Sequence, residues 1–340
     1  MSEDSTERPT SPRGHRAVVT DAGRPLPVDA PTPGAVAVLP RSTQVHEDAV
    51  TAAGGTLGSL DDDTRGVVWL DAHDPDGLAS VLDGHPALSW VQLPFAGVDS
   101  FAHLIAAHGD RVLFTSAKGA YAEPVAEHAL ALTLASLRVL QKRARTTTWT
   151  REPEGVSLYG RHVVLIGAGG IALEYLRLVQ PFDVRVTVVR RSAEPVPGAD
   201  RTVTTEHLDE VLPDADVVVV AAAMTSGTAK LLGERQFALL PDTARIVNIA
   251  RGGLIDTDAL VAALRSGAIA GAALDVTDPE PLPDGHPLWD EPGALITPHQ
   301  ADTPDMVAPL LAERVGANVE AFLRADGTGF VGVVDPEAGY

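Results

Sequence analysis

Residues 163–172 read VVLIGAGGIA, an apolar strand that leads directly into a glycine-rich turn. Gly167, Gly169 and Ala172 fill the three small positions of a dinucleotide-binding fingerprint. At these positions the first glycine permits a tight turn and the second lets the backbone approach a pyrophosphate. The helix expected to begin next points its N-terminal amides at that anion. The candidate cofactor contacts in this stretch are Gly167, Gly169, Gly170 and Ile171.

The chain on both sides of this stretch alternates short apolar runs with segments of helical pattern. The strand-like runs after residue 160 are RHVVLIGAGG, VRVTVVRRS, ADVVVVAAA, ARIVNIARGG, AIAGAALDV and GALITPHQ. A similar alternation begins at Ala35 and contains AVAVL, GVVWL, LSWVQ and RVLFT. Continuous apolar strands separated by helices are typical of parallel sheets covered on both faces. The sequence therefore predicts an α/β fold with two doubly wound parallel-sheet domains.

Three further segments complete the organisation. Residues 1–33 are rich in Ser, Pro, Asp and Arg without periodicity, which indicates a flexible or loosely packed lead-in. Residues 124–143 predict one long helix that opens at Pro124, and its apolar circumference favours either the core or a homodimer interface, with Trp149 as a possible contributor. Near the C-terminus, MVAPLLAERVGANVEAFLRA predicts an amphipathic helix and FVGVV a last short strand.

Composition excludes several classes of function. The chain has 340 residues, no cysteine, and 46 acidic against 26 basic residues, for a net charge of −20. The absence of cysteine excludes disulfides, thiolate zinc sites and cysteine nucleophiles, and the sequence predicts no metal. A strongly acidic surface repels nucleic acid and anionic membranes, so neither is an expected partner. With no long apolar run and no secretory signal pattern, we expect a cytoplasmic protein.

The strand that follows the glycine turn ends in a pair of cations. In NAD-binding folds an acidic residue about 20 residues after the turn binds the ribose hydroxyls. Here VTVVRRS ends instead in Arg190, Arg191 and Ser192. Forked, charge-assisted hydrogen bonds from arginine suit a 2′-phosphate, which predicts NADP(H) as the preferred cofactor with NAD(H) still possible. The alternative is that both arginines are solvated surface residues.

Three polar residues follow apolar runs in the second half of the chain, where such folds place their chemistry. They are Arg251 in NIARGG, Glu280 in DPEPLP and His299 in ITPHQ. A histidine can donate and accept a proton near neutral pH, a carboxylate can hold its tautomer, and an arginine can bind a carboxylate through two hydrogen bonds. Together they predict the reduction of a 2-keto acid.

From about Leu93 to Val334 the chain resembles the D-isomer-specific 2-hydroxyacid dehydrogenase family, most closely its glyoxylate and hydroxypyruvate reductase branch. The family's Asn-x-Ala-Arg-Gly element matches residues 248–252, and its Leu-Asp-Val followed by Glu-Pro matches residues 274–276 and 280–281. Its Pro-His matches residues 298–299. Gln300 departs from the pattern, because small or aliphatic residues are more usual after the histidine.

The resemblance implies a role for each matching residue. Arg251 would bind the substrate carboxylate, His299 would be the general acid and base, and Glu280 would pair with the imidazole. Backbone amides of FAGVDS, around Ala96 and Gly97, would receive the same carboxylate. The further cofactor positions that it implies are Ala223, Ala250 and Asp275.

The resemblance also implies the domain plan. A Rossmann nucleotide-binding domain, residues 124–303, is expected to be inserted in a flavodoxin-like substrate domain formed by residues 34–123 and 304–340. The function predicted is NAD(P)H-dependent reduction of a small 2-keto acid to the D-2-hydroxy acid. Two alternatives stay open: a nucleotide-sensing, corepressor-like binding protein of the same fold, and a family dehydrogenase for a phosphorylated hydroxy acid or formate.

Overall fold

The computed structural model describes His15 and residues 26–335, and the structural statements that follow concern these residues. Most of the predicted lead-in, residues 1–33, lies outside this part of the chain. Within its described portion, Leu26 and Val28 are partly buried against the main hydrophobic core.

The elements alternate between strand and helix along most of the chain. The strands are β1 (Ala35–Leu39), β2 (Thr64–Trp69), β3 (Trp90–Gln92), β4 (Leu113–Thr115), β5 (His162–Ile166), β6 (Arg185–Arg190), β7 (Arg201–Thr204), β8 (Val217–Val220), β9 (Arg245–Asn248), β10 (Gly271–Leu274) and β11 (Ala294–Ile296). The helices are α1 (Gln44–Ala52), α2 (Pro75–Gly84), α3 (Ala102–His108), α4 (Ala122–Leu137), α5 (Leu140–Ala144), α6 (Gly170–Val179), α7 (Leu208–Val211), α8 (Glu234–Leu239), α9 (Thr257–Ser266) and α10 (Pro304–Arg324).

The first sheet is parallel, in the order β1-β2-β3-β4, and it is covered on both faces. Since successive side chains of a strand point to opposite faces, neighbours such as Val67 and Val68 enter different clusters. Val68 faces the cluster that includes residues of α1 and α10, whereas Val67 faces that of α2 and α3. The apolar runs without alternation in the sequence reflect this double burial.

The second sheet is also parallel, in the order β11-β10-β9-β8-β5-β6-β7. Strand β5 has β6 on one side and β8 on the other, so the strand order reverses there. Ligands of open α/β sheets bind at the carboxyl ends of the strands beside such a reversal. The two parallel sheets confirm the predicted fold class.

The long helix predicted over residues 124–143 is in fact two helices. Helix α4 begins two residues before Pro124, ends at Leu137, and is separated from α5 by Val139, whose φ is +48°. The backbone amide of Val156 donates to the Leu137 carbonyl, so the returning chain takes an acceptor at the end of α4. Pro124 fits in the first turn because the amides there have no partner within the helix.

The predicted last strand, FVGVV, is wrong as a strand. Only an isolated antiparallel bridge joins Val333 to Thr115, at the end of β4. Gly332 has a φ of +73°, and a Cβ atom there would lie 2.3 Å from the Ser116 carbonyl oxygen, so the backbone cannot continue as a regular strand. The preceding helix, α10, does return to the first sheet, where Phe322 packs on Trp90 with ring centroids 5.1 Å apart. Among the described residues, no helix is both long and apolar enough to cross a membrane.

Candidate active site

The loop after β9 projects Arg251 into a cleft between the two sheets. Asn248, the last residue of the strand, is fully buried, and its side chain donates to the Arg251 carbonyl at 2.9 Å and accepts from the Ala250 amide at 3.0 Å. A Cβ atom at Gly252 would lie 1.9 Å from the Thr277 carbonyl oxygen. The asparagine and the glycine together turn the chain so that the arginine side chain remains partly exposed.

The Arg251 guanidinium contacts the loop that follows β3. Its Nε donates to Asp99 Oδ2 at 3.1 Å, and its Nη1 donates to the Ala250 carbonyl at 2.8 Å. Its Nη2 lies 1.6 Å from the position that a Cβ atom would take at Gly97, so only glycine leaves room for it. The structure thus brings the predicted anchor and the predicted carboxylate loop together. Ala96, the neighbouring candidate, is partly buried and does not line the cleft.

His299 and Glu280 form a direct pair, with 2.6 Å between Nδ1 and Oε1. About half of the histidine side chain is exposed. The backbone of His299 has a φ of +51°, and its amide donates to the Asp275 carbonyl at 2.8 Å. With Nδ1 bonded to the carboxylate, Nε2 is the nitrogen that can meet a ligand.

Asp275 organises the loop that carries the histidine. Its buried carboxylate accepts from Thr297 Oγ1 at 2.6 Å, from the Gln300 amide at 2.9 Å and from the Ala301 amide at 3.1 Å. His128 Nε2 lies 3.3 Å from the same carboxylate. Burial alone would raise the pKa of Asp275, but the hydrogen bonds from His128, Thr297 and Gln300 bring it below its ordinary value. Every contact found for the Asp275 carboxylate is with another residue of this chain, so a contact between Asp275 and a nicotinamide stays a prediction.

The glycine turn between β5 and α6 has the shape that a pyrophosphate requires. Gly167 has a φ of +116°, and a Cβ atom there would lie 2.3 Å from the Ala221 carbonyl oxygen. At Gly169 a Cβ atom would meet nothing within 4 Å, so the missing side chain leaves open space before the N-terminus of α6. Gly170 and Ile171 form the first turn of α6 and are partly buried. These residues fit a dinucleotide.

The remaining cofactor candidates lie at the same edge of the second sheet. Arg190 ends β6, beside the glycine turn, and the Gly167 amide donates to the Val189 carbonyl at 2.8 Å. Arg191 and Ser192 follow it and are exposed. Ala223 follows β8 and Ala250 follows β9, which places both along one row with the glycine turn. Whether a nucleotide touches any of these residues stays a prediction.

The cleft has a volume of about 440 Å³, within the usual range for small-ligand pockets. Arg251, Glu280 and His299 all line it. Lining residues that the sequence analysis did not single out are Ala72, His73, Asp99, Ser100, Met224, Thr277 and Asp278. His73 follows β2, so the strand-end rule applied to the first sheet would have found it. Asp99 lies within FAGVDS, seven positions after β3 ends, and has no such signal of its own. The described residues contain no group of three or more histidines and carboxylates arranged for a metal ion.

Comparisons with known proteins point to one dehydrogenase family. The NAD binding domain of D-isomer specific 2-hydroxyacid dehydrogenases matches residues 128–301. A glyoxylate reductase of Thermofilum pendens is 32% identical over 261 residues, covering 73% of this chain and 76% of the relative.

Two solved structures are similar over nearly the whole chain. A D-isomer specific 2-hydroxyacid dehydrogenase from Xanthobacter autotrophicus Py2, in complex with NADPH and MES, is 26% identical with a TM-score of 0.76, covering 91% of this chain and all of the other. An NADPH-dependent glyoxylate/hydroxypyruvate reductase from Sinorhizobium meliloti, in complex with NADP and sulfate, is 25% identical with a TM-score of 0.74, covering 90% and 100%.

Proposed function

Because the chain belongs to the D-isomer-specific 2-hydroxyacid dehydrogenase family, we propose that it reduces a small 2-keto acid of the glyoxylate or hydroxypyruvate type. In this proposal Arg251 binds the substrate carboxylate, His299 protonates the keto oxygen, and Glu280 holds the imidazole. The observation that carries it is that Arg251, packed against Gly97, and His299, bonded to Glu280, are both accessible in one cleft.

The chemistry needs one anion anchor and one proton donor. A bound reduced nicotinamide supplies hydride, and the oxygen of the reduced carbonyl then requires a proton. Nε2 of His299 donates it, while the Glu280 carboxylate stabilises the positive charge of the imidazolium through Nδ1. Arg251 orients the substrate through its carboxylate and polarises the keto oxygen.

The walls of the cleft combine apolar and polar side chains. Phe95 and Met224 line it beside Gly97 and Arg251, and they provide apolar surface. His73 and Ser100 add polar groups from the first-sheet side, which suit a substrate with a hydroxyl group such as hydroxypyruvate.

The nucleotide site supports NADPH as the preferred cofactor. Arg190 and Arg191 stand at the end of β6, where an acidic residue would recognise the ribose of NAD. Arginine pairs with a 2′-phosphate through short charge-assisted hydrogen bonds, which NADH cannot form. The relatives solved with NADPH and NADP are consistent with this preference.

We propose that the chain crosses twice between two domains. Residues 34–123 and 304–340 would form the substrate domain, and residues 124–303 the nucleotide domain. The start of α4 and the start of α10 lie close to the two proposed crossings between them. Closure about these crossings would expel water from around Arg251 and His299 and strengthen their electrostatic contacts.

We also propose that the protein forms a homodimer through the exposed side of α4 and the segment that follows it. Most of α4 is buried within the chain, but Ala131 is exposed and Leu130 and Leu134 are only partly covered. Nearby in sequence, Leu140 is 52% exposed and Trp149 is 93% exposed. A second copy packed on these apolar side chains would remove them from water.

A substrate panel tests the proposed reaction. Purified protein is mixed with glyoxylate, hydroxypyruvate, pyruvate or phenylpyruvate, each with NADPH and with NADH, and the loss of reduced nicotinamide absorbance is followed. We expect turnover with the first two acids and faster rates with NADPH. The D configuration is tested with hydroxypyruvate, because glycolate is achiral. Turnover of none of these acids, or an L-hydroxy acid product, contradicts the proposal.

A further inference from the structure

The ion pair between Arg251 and Asp99 joins the two sheets across the mouth of the cleft. Asp99 follows β3 of the first sheet, and Arg251 follows β9 of the second. Nε of the arginine lies 3.1 Å from Oδ2 of the aspartate, and both side chains are substantially exposed to the cleft. The family resemblance assigned no role to this aspartate.

The hydrogen-bond donors of Arg251 are divided between the protein and the cleft. A guanidinium carries five N–H donors, one on Nε and two on each terminal nitrogen. Asp99 takes the Nε donor and the Ala250 carbonyl takes one Nη1 donor. Among the described residues, the other three donors have no hydrogen-bond partner, and they include both donors of Nη2, which lies on Gly97. Two fixed points therefore set the plane of the guanidinium and leave its outer edge for an anion.

We propose that Asp99 is a positioning residue that aims the free edge of Arg251 at the substrate carboxylate and ties that arginine to the substrate-binding loop. The inference rests on the proposed role of Arg251 as carboxylate anchor. Without Asp99 the long arginine side chain regains its rotamers, and ordering it again weakens binding.

The aspartate also carries a charge that opposes the substrate. Its carboxylate and the substrate carboxylate would share one guanidinium, so they repel each other at short range. Asparagine at this position would retain an oxygen acceptor for Nε and remove the repulsion. The positioning role therefore depends on the acceptor atom, and the negative charge is a cost to anion binding.

The test compares Asp99→Ala with Asp99→Asn. Oxalate, a two-carbon anion that resembles glyoxylate, is titrated calorimetrically into each protein saturated with NADP⁺, and the KM and kcat for glyoxylate are measured in parallel. We expect Asp99→Ala to weaken oxalate binding and raise KM by about five- to thirtyfold, the factor that one or two kcal/mol produces. The Asp99→Asn protein should bind oxalate at least as tightly as wild type.

Matched controls separate positioning from general damage. Asp110 is an exposed aspartate in the loop between α3 and β4, at the edge of the first sheet opposite the cleft. The Asp110→Ala protein should bind oxalate and reduce glyoxylate as wild type does. The affinity for NADPH should be the same in all four proteins. Wild-type oxalate binding by Asp99→Ala, or an Asp99→Asn protein as impaired as Asp99→Ala, overturns the proposal.

The oxalate titration does not depend on turnover, so failures of the two proposals are distinguishable. If the wild-type protein reduces no keto acid but binds oxalate, and Asp99→Ala weakens that binding, the result supports the positioning role and contradicts only the proposed reaction. A wild-type protein that binds no oxalate contradicts the anchor role of Arg251, and the role of Asp99 falls with it.

Discussion

Nδ1 of His299 lies 2.6 Å from Oε1 of Glu280, although the two residues are nineteen positions apart in the chain. The His299 amide donates to the Asp275 carbonyl, and the Thr277 amide donates to the Glu280 carboxylate at 3.4 Å. The pair is therefore oriented before any ligand binds, which is the arrangement that proton transfer at Nε2 requires.

The first prediction concerns this pair. His299→Ala should lower kcat by about a hundred- to ten-thousandfold, the usual contribution of a positioned general acid. Glu280→Gln should lower it by about ten- to a hundredfold, because one hydrogen bond to a charged group is weakened. Steady-state kinetics with glyoxylate measures both. His286, which caps a short turn away from the cleft, provides the control variant His286→Ala, and equal losses in all three would refute the assignment.

The second prediction concerns the anchor. Arg251→Lys keeps the positive charge but loses the planar fork that binds Asp99 and a carboxylate together. We expect kcat/KM for glyoxylate to fall by about ten- to a hundredfold, as the loss of a charge-assisted hydrogen bond implies. Far-ultraviolet circular dichroism should be that of wild type. Undiminished kcat/KM would show that a point charge suffices and that the fork is not used.

The third prediction concerns cofactor choice. Arg190→Ala should raise the KM for NADPH by about ten- to a hundredfold through the lost contact with the 2′-phosphate. The KM for NADH, which lacks that phosphate, should change little and is the internal control. Equal increases for both cofactors would mean that Arg190 supports the fold of the strand end and does not read the phosphate.

The fourth prediction concerns stability against pH. Burial raises the pKa of the partly buried Asp302, and the Asp275 charge adds to the rise, with partial relief from His299 and His128. The folded state therefore binds this proton more tightly than the unfolded state, so stability falls as the pH rises from the ordinary carboxyl pKa to the raised one, and the full cost is present above the raised pKa. Asp302→Asn should increase the free energy of unfolding at pH 7.5, and the gain should shrink toward pH 4. Urea unfolding at both values measures it, and a gain independent of pH would contradict it.

The fifth prediction concerns a buried cation. Arg245 is 8% exposed, and its Nε and Nη1 have no hydrogen-bond partner among the described residues. Since a buried unpaired donor is costly, Arg245→Met should stabilise the fold by about 1–3 kcal/mol. Arg265→Met is the opposite control, because Arg265 pairs at 2.8 Å with the buried Glu291 and its loss should destabilise. Destabilisation by Arg245→Met would mean that the guanidinium of Arg245 has a hydrogen-bond acceptor in solution.

Much of the fold was predictable because it depends on local patterns. The apolar runs mark the strands, and the turn from Gly167 to Gly169 marks where β5 passes into α6. The break at Val139 was not predictable from periodicity, because the residues on both sides favour a helix. The structure shows it in the left-handed backbone of Val139 and in the Val156 amide, which donates to the Leu137 carbonyl at the end of α4.

Some site residues were likewise predictable from the sequence, and others were not. Arg251, Glu280 and His299 stand out in the sequence because each follows an apolar run and matches a spaced motif. Asp99 did not stand out, because an acidic residue in an exposed loop is ordinary in a chain with 46 of them. Its importance follows from the contact with Arg251, which lies on the other sheet.

The sequence by itself determined the two parallel sheets, the glycine turn and the chemical types of the site residues. These follow from patterns spanning a few residues, which act through backbone geometry and burial. Only the tertiary structure decided which of those groups meet. The Arg251 guanidinium lies on Gly97 and against Asp99 because two separate sheets pack with their loops facing one cleft, and no local pattern specifies that distance.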